Sequence, residues 1–171
     1  MRGYVHVYTG NGKGKTTAAM GLAIRAAGAG LKVYIAQFVK MGDYSEIKAL
    51  ERYKDLITIE QYGLGRFIGS RPSKRDIAIA RKGLEIAKDV MASGEVNLVI
   101  LEEANVAAKF GLFPVQALVK LIIEKPKDIE LVITGRHASA RVIEVADLVT
   151  EMRMVKHYFE KGIQARVGIE M

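Results

Sequence analysis

Thr9-Gly10-Asn11-Gly12-Lys13-Gly14-Lys15-Thr16-Thr17 decides how this chain folds. It follows Tyr4-Val5-His6-Val7-Tyr8, an alternating run that predicts a strand, and opens the Ala-rich stretch Thr17–Ala27, which predicts a helix. A glycine-rich turn between a strand and a helix reads as a phosphate-binding loop. Glycine lets the backbone turn tightly, so that several N–H groups converge on one anion. The helix N-terminus adds unpaired N–H groups and a partial positive charge. Lys15 is expected to carry a full charge to the outer phosphates, and the hydroxyl of Thr16 to ligate a magnesium ion. The loop departs from the usual pattern, which has four residues between its first glycine and Gly-Lys. Here Gly10 and Gly14 enclose three, Asn11, Gly12 and Lys13. Either the loop is one residue short or Thr9 stands where the first glycine would be. The second lysine, Lys13, indicates extra demand for charge against a polyphosphate.

The 171 residues, half of them hydrophobic, suit one domain, 1–171, with a substantial core. No apolar run is long enough to span a bilayer. The sequence enters its first strand at once, with no secretory or transit segment, so a cytoplasmic protein is expected. With no cysteine, thiol nucleophiles, disulfides and thiolate metal sites are excluded. The net charge of +7 permits nucleic-acid binding but equally fits a protein handling polyanionic small molecules. The basic residues are spread along the chain without an Arg-rich tail, which argues against a nucleic-acid partner.

Strand and helix patterns alternate throughout. The small-residue helix after the loop ends at Gly28 and Gly30, and Leu31–Phe38 follows as a continuously apolar strand of the kind covered on both faces. Gln37-Phe38-Val39-Lys40-Met41-Gly42 lies at its C-terminal end, where parallel sheets carry ligands. Glu46–Tyr53 predicts a short helix and Leu56–Gln61 a third strand. The glycine-rich stretch Tyr62–Pro72 reads either as a plain crossover or as a mobile ligand loop. Ser73 and Asp76 start a helix in capping-box fashion, with Ile77, Ala80, Leu84, Ala87 and Met91 on its core face. Asn97–Leu101 is a fourth strand tipped by Glu102-Glu103, carboxylates suited to a magnesium ion beside a phosphate loop. Pro114–Ile123 predicts a helix, Ile129–Thr134 a fifth strand ending at Thr134-Gly135-Arg136, Ser139–Ala146 a helix and Leu148–Met152 a sixth strand. The remainder, Arg153–Met171, is a mixed, basic tail. Such alternation predicts a six-stranded, mainly parallel α/β sheet with helices on both faces. The loop strand is expected at its centre, beside Asn97–Leu101.

Residue patterns alone reach a nucleoside-triphosphate-binding α/β protein. Gly10–Thr17, Gln37-Phe38-Val39-Lys40 and Thr134-Gly135-Arg136 resemble the ATP:corrinoid adenosyltransferases of the cobalamin pathway. The C-terminal match is stronger: Ala146-Asp147-Leu148-Val149-Thr150-Glu151-Met152-Arg153, Val155-Lys156-His157, Phe159, Gly162-Ile163, Ala165 and Gly168-Ile169-Glu170. The motifs fall in the family's order and cover nearly the whole chain. The resemblance implies a single-domain P-loop NTPase-like, RecA-like fold. It implies transfer of the 5′-deoxyadenosyl group of ATP to the Co(I) of a reduced corrinoid, with release of triphosphate. Lys15 and Lys13 would stabilise the leaving group, and Gly10, Asn11, Gly12, Lys13, Gly14, Lys15, Thr16, Thr17 and Arg136 would bind ATP. Thr16 and Glu103 would hold Mg2+, with Glu102 behind them; the family usually has Asp-Glu at that pair. Tyr62, Phe67, Lys156 and His157 are the corrinoid-facing candidates.

Co(I) carries no proton, so no general base is needed; what matters is an oriented ribose carbon and a neutralised leaving group. The family holds four-coordinate Co(II) in an apolar pocket before reduction, and binds ATP reversed relative to ordinary phosphate-loop enzymes. It further implies a homodimer and an electron donor such as a flavin-dependent reductase. Better-known members carry an N-terminal extension over the corrinoid; this sequence starts at the first strand, so either that site is not closed over in the same way or another segment closes it. The family's tryptophan after the third strand is absent here. Two alternatives stay open on the residues: a phosphotransferase or ATPase of the same fold, and a nucleic-acid-stimulated ATP-binding module.

Overall fold

A computed structural model describes residues 2–65 and 71–170. The elements run β1 Val5–Thr9, α1 Lys15–Gly28, β2 Val33–Phe38, α2 Ser45–Leu50, β3 Ile57–Tyr62, α3 Lys74–Ser93, β4 Leu98–Glu102, α4 Ala104–Lys109, α5 Val115–Glu124, β5 Glu130–Thr134, α6 Ala140–Glu144 and β6 Leu148–Glu151. Short 3-10 turns lie at Glu51–Tyr53 and Tyr158–Lys161. The six strands form one sheet in the order β3-β2-β4-β5-β1-β6. Every neighbouring pair is parallel. This is the α/β fold with helices on both faces that the alternation predicts.

The order inside the sheet corrects one expectation. β5 lies between β1 and β4, so the loop strand neither touches the carboxylate strand nor sits at the centre. Two strand spacings, about 10 Å, separate them. β2, β4 and β5 are apolar runs, any of which would pair equally well with β1. Burial on both faces therefore marks a strand as interior without naming its neighbours.

Alternation along the strands feeds two cores. On one face Ala19, Ala23, Ala26 and Ala27 of α1 pack against Ile35, Ile100 and Val132. Alanines let that helix lie close under the sheet, so its first turn ends near the tips of β4 and β5. On the other face Ala80, Leu84, Ala87 and Met91 of α3 and Leu118, Leu121 and Ile122 of α5 cover Val7, Val99, Leu101, Leu131 and Ile133. The start of α3 is the capping box that the sequence predicts, with Ser73 accepting from the Asp76 N–H at 3.2 Å and Asp76 accepting from the Ser73 N–H at 2.7 Å. α4 has no counterpart in the sequence reading. It follows β4 without a connecting loop because Glu103 turns left-handed, at φ 59°.

Tyr62, at the end of β3, is 7% exposed and packs against Phe38 at a ring separation of 5.9 Å. Its hydroxyl lies 2.8 Å from that of Tyr34, and both donate to Glu60. Burial, reinforced by the Glu60 carboxylate, pushes Tyr62 up to about 12 and Tyr34 well above the ordinary phenol range. Glu60 is held below its ordinary range by the two donated hydroxyls.

Gly83 of α3 admits this ring. A Cβ there would sit 2.4 Å from Tyr62 Cγ. Alanine would improve helix propensity by about 1 kcal/mol, whereas overpacking a rigid ring costs roughly 1–3 kcal/mol. Gly83→Ala should therefore be neutral to destabilising by about 2 kcal/mol, read from urea unfolding. A gain of the full propensity value would mean that the ring moves freely.

Candidate functional site

The loop between β1 and α1 is held against the exit of β6. The Met152 N–H donates to the Thr9 carbonyl at 2.8 Å, and the Gly12 N–H to the Met152 carbonyl at 2.6 Å. A Cβ on Gly10 or Gly12 would stand 2.5 or 2.7 Å from the Met152 carbonyl oxygen, so only glycine permits this approach. Gly10 and Gly14 also adopt φ of 94° and 119°. The Gly12 N–H is thus engaged by β6, one fewer donor for an anion than the sequence pattern suggests.

Lys15 opens α1 and is 7% exposed. Its Nζ curls over the loop and donates to the carbonyls of Gly10 at 2.8 Å and Gly12 at 2.7 Å. An ammonium has three N–H groups, so one is left over in this arrangement. Burial pushes the Lys15 pKa below the ordinary lysine range, the Arg136 charge pushes the same way, and Glu103 and Glu102 partly offset both. An anion would relieve that strain.

Glu102 ends β4 and is fully buried. Its Oε1 accepts from Thr16 Oγ1 at 2.5 Å and from Lys40 Nζ at 2.9 Å; its Oε2 is buried without a hydrogen-bond partner among the described residues. Burial and the neighbouring Glu103 raise the Glu102 pKa, while Lys40 and Thr16 pull it back. For Lys40, burial acts downward, but the charge and hydrogen bond of Glu102 prevail and leave its pKa raised. Because the Thr16 hydroxyl donates its hydrogen bond to Glu102, the lone pairs of its oxygen are left for another partner. Glu103, one residue on, turns away: its N–H donates to Thr134 Oγ1 at 3.0 Å, and its Oε2 approaches Gly135. The expected pair of carboxylates is therefore split, Glu102 behind Thr16 and Glu103 beside the cavity.

These groups surround a cavity of ≈ 710 Å³ lined by Gly12–Thr17, Lys40, Glu103, Arg136, His157 and Gly168–Glu170. Among the described residues, no three His, Cys, Asp or Glu side chains cluster as a self-contained metal cage. A hydroxyl and a carboxylate facing a cavity, with a second carboxylate behind, are instead the hard-oxygen donors that suit Mg2+. That ion usually keeps waters and takes substrate phosphates as its other ligands. The residues present fit it.

Of the other candidates, Thr17 and Arg136 line the cavity as exposed groups, and Asn11 is exposed at the loop tip. His157 lines the cavity and accepts the Phe159 N–H through Nδ1 at 3.1 Å, whereas Lys156 is exposed and outside the lining. Tyr62 corrects an expectation: its ring lies in the core under Gly83 and its hydroxyl is engaged, so it presents no face to a corrinoid. Strand alternation sent it inward, which the glycines after it did not reveal. Phe67 lies outside the described residues.

Lys13 differs from the expected phosphate ligand. Its Nζ donates to Tyr158 Oη at 3.1 Å, the Ile169 carbonyl at 2.9 Å and Glu170 Oε1 at 2.7 Å. Sequence reasoning missed both this tether and the Lys40–Glu102 pair, since each joins residues far apart in the chain. Lys40 was signalled locally by its place at a strand exit and in the motif Gln37-Phe38-Val39-Lys40; in the structure Val39 takes φ 58° there.

A parallel sheet with a glycine loop and buried lysine at one strand exit, and a carboxylate tip two strands away, defines a P-loop NTPase-like protein. Residues 1–171 match the family model described as ATP:corrinoid adenosyltransferase BtuR/CobO/CobP. The chain belongs to that family. It is 38% identical over 170 residues to the corrinoid adenosyltransferase of Pseudomonas aeruginosa, covering 99% of this chain and 84% of that one. It is 36% identical over 171 residues to that of Escherichia coli K12, covering 99% and 86%. Against the Salmonella typhimurium corrinoid adenosyltransferase CobA the identity is 32% over 171 residues, covering 99% and 86%.

Lys15→Ala should weaken nucleoside-triphosphate binding by about 30- to 100-fold, the value of one charge-assisted contact of roughly 2–3 kcal/mol. Titration calorimetry with ATP measures it; an unchanged affinity would remove Lys15 from the anion site.

Proposed function

We propose that this protein transfers the 5′-deoxyadenosyl group of ATP to the Co(I) of a reduced corrinoid and releases inorganic triphosphate. Membership of the ATP:corrinoid adenosyltransferase family over the whole chain carries the reading. The electron pair of Co(I) attacks C5′ of the ribose. A cobalt–carbon bond forms, the C5′–O bond breaks, and the bonding electrons leave with the triphosphate. No proton is transferred in that step, so the residues have two tasks: to orient C5′ and to absorb the departing charge. Lys15, Arg136 and the loop residues Lys13–Thr17 line the cavity that would receive the phosphates. Burial of Lys15, shielding it from water, strengthens its attraction for an anion.

Magnesium would be held by Thr16 and Glu103, and when bound it supplies further neutralisation of the triphosphate. Glu102 acts behind them. It accepts the Thr16 hydroxyl hydrogen bond at 2.5 Å and so directs the oxygen lone pairs outward. Lys40, half-buried at the exit of β2, balances the Glu102 charge. Glu103→Gln should flatten the dependence of ATP affinity on magnesium. Glu102→Gln should retain that dependence but lower stability, because it leaves Lys40 without its buried partner, a loss of roughly 3–5 kcal/mol when a buried pair is broken. Calorimetric ATP titrations over a magnesium series, with thermal melts, separate the two; the reverse pattern would exchange their roles.

The whole of 1–171 is read as one ATP- and corrinoid-binding unit, working in the cytoplasm beside an electron donor such as a flavin-dependent reductase. Two copies would associate through the apolar side chains left on the tail, Val155, Phe159 and Val167, which are 95%, 70% and 82% exposed.

The test is a product analysis. With ATP, magnesium and chemically reduced cobalamin, chromatography should show triphosphate, and the absorption spectrum should show the adenosylated corrinoid. ADP accumulating in step with turnover, with no cobalt–carbon bond formed, would establish the phosphotransferase reading instead.

A further inference from the structure

The C-terminal segment is tied to the phosphate loop through Lys13. Among the described residues, every hydrogen bond and ion pair joining residues 156–170 to the rest of the chain ends on Lys13. All three of its N–H groups are engaged there, by a phenol, a backbone carbonyl and a carboxylate.

The acceptor end is built for the purpose. Gly168, at φ 77°, closes a turn in which the N–H groups of Ile169 and Glu170 donate to the Arg166 carbonyl at 3.2 and 3.0 Å. Glu170 Oε2 accepts from the Arg166 N–H at 2.9 Å and Nε at 3.3 Å, and Oε1 from its guanidinium at 3.2 Å. The Tyr158 hydroxyl donates to the same carboxylate. These donors hold Glu170 well below the usual carboxylate range, Arg166 first and Lys13 second. A carboxylate so firmly charged remains an anchor for Lys13 at any ordinary pH. The turn it closes, Gly168–Glu170, lines the same cavity as Lys15 and Thr16.

We propose that Lys13 is a positioning residue, and that through Glu170 and Tyr158 it holds Gly168–Glu170 as the outer wall of the ATP site. To meet a phosphate it would have to release at least one tail acceptor, whereas Lys15 has an N–H to offer without disturbing the loop. The second lysine of the loop therefore acts on nucleotide binding by way of the tail. The proposal rests on the reading that the cavity takes ATP, and its test is arranged to separate the two.

The experiment is a double-mutant cycle on the full chain with Lys13→Ala, Glu170→Gln and the pair. Both side chains are at the surface, 39% and 18% exposed, and Tyr158→Phe, which removes one hydroxyl, is a third and milder variant. ATP affinity by calorimetry should fall about tenfold in each single variant and by about the same tenfold, not a hundredfold, in the pair. KM for ATP should rise while kcat changes less than about twofold, as expected when binding of ground and transition states is lost equally. Lys13→Arg, which keeps charge and donors, should restore much of the affinity. Hydrogen exchange without nucleotide should show residues 158–170 losing protection in Lys13→Ala and Glu170→Gln alike. Additive losses of affinity would place Lys13 on the phosphates and overturn the proposal, as would unchanged protection of the tail. Failure of the wild-type protein to bind ATP would defeat the functional reading alone, because the exchange result still reports whether Lys13 holds the tail.

Discussion

Six strands running in one direction bring every strand exit to the same edge of the sheet. The site depends on that constraint. Thr9, Lys40, Glu102, Arg136 and Met152 come from the exits of five different strands, of which only β4 and β5 are consecutive both in the chain and in the sheet. Parallel pairing with crossover helices stacks their exits within a few strand spacings. Without it, a loop near residue 12 and a strand exit near residue 152 would have no reason to meet. Here they meet through backbone hydrogen bonds at 2.6 and 2.8 Å.

Charge at that edge is arranged in layers. The innermost is Glu102, buried and shared between a hydroxyl and an ammonium. Outside it lie Thr16, Lys15 and Glu103, and outside them the exposed Arg136 and the tail. A buried carboxylate is costly unless paired, and Lys40 is the pairing. The cost supports the function proposed for the site, because a charge fixed behind Thr16 holds its hydroxyl in one orientation. Lys15 is the mirror case: an ammonium kept among carbonyls, its pKa depressed by burial, and one donor short of satisfaction. A polyphosphate with a divalent cation would complete both at once.

The two loop lysines illustrate how similar residues take different work. Lys15 begins a helix whose first turn lies under the sheet, so its side chain is confined to the loop. Lys13 sits on the outer side of the same loop and reaches the tail. Their spacing of two residues places them on opposite sides of a tight turn, a division that arises from the backbone path imposed by Gly10, Gly12 and Gly14.

The sequence by itself determined the elements and their class. Apolar runs at β2, β4 and β5, helical spacing through Ala80, Leu84, Ala87 and Met91, and the Ser73–Asp76 cap are local patterns, and local sterics and hydrogen bonding act on them directly. It also marked Lys15, Thr16 and the Glu102-Glu103 pair, because a glycine loop and an acidic strand tip carry their chemistry within a few residues. Only the tertiary structure decided the rest. Interchangeable apolar strands left the place of β5 between β1 and β4 undetermined. The inward turn of Tyr62 depended on Gly83, twenty-one residues away. The helix after Glu103 required a left-handed residue that no pattern announces. The partners of Lys40 and Lys13 lie 62 and 157 positions distant, and such pairs are chosen by the folded edge on which both ends arrive, not by spacing along the chain.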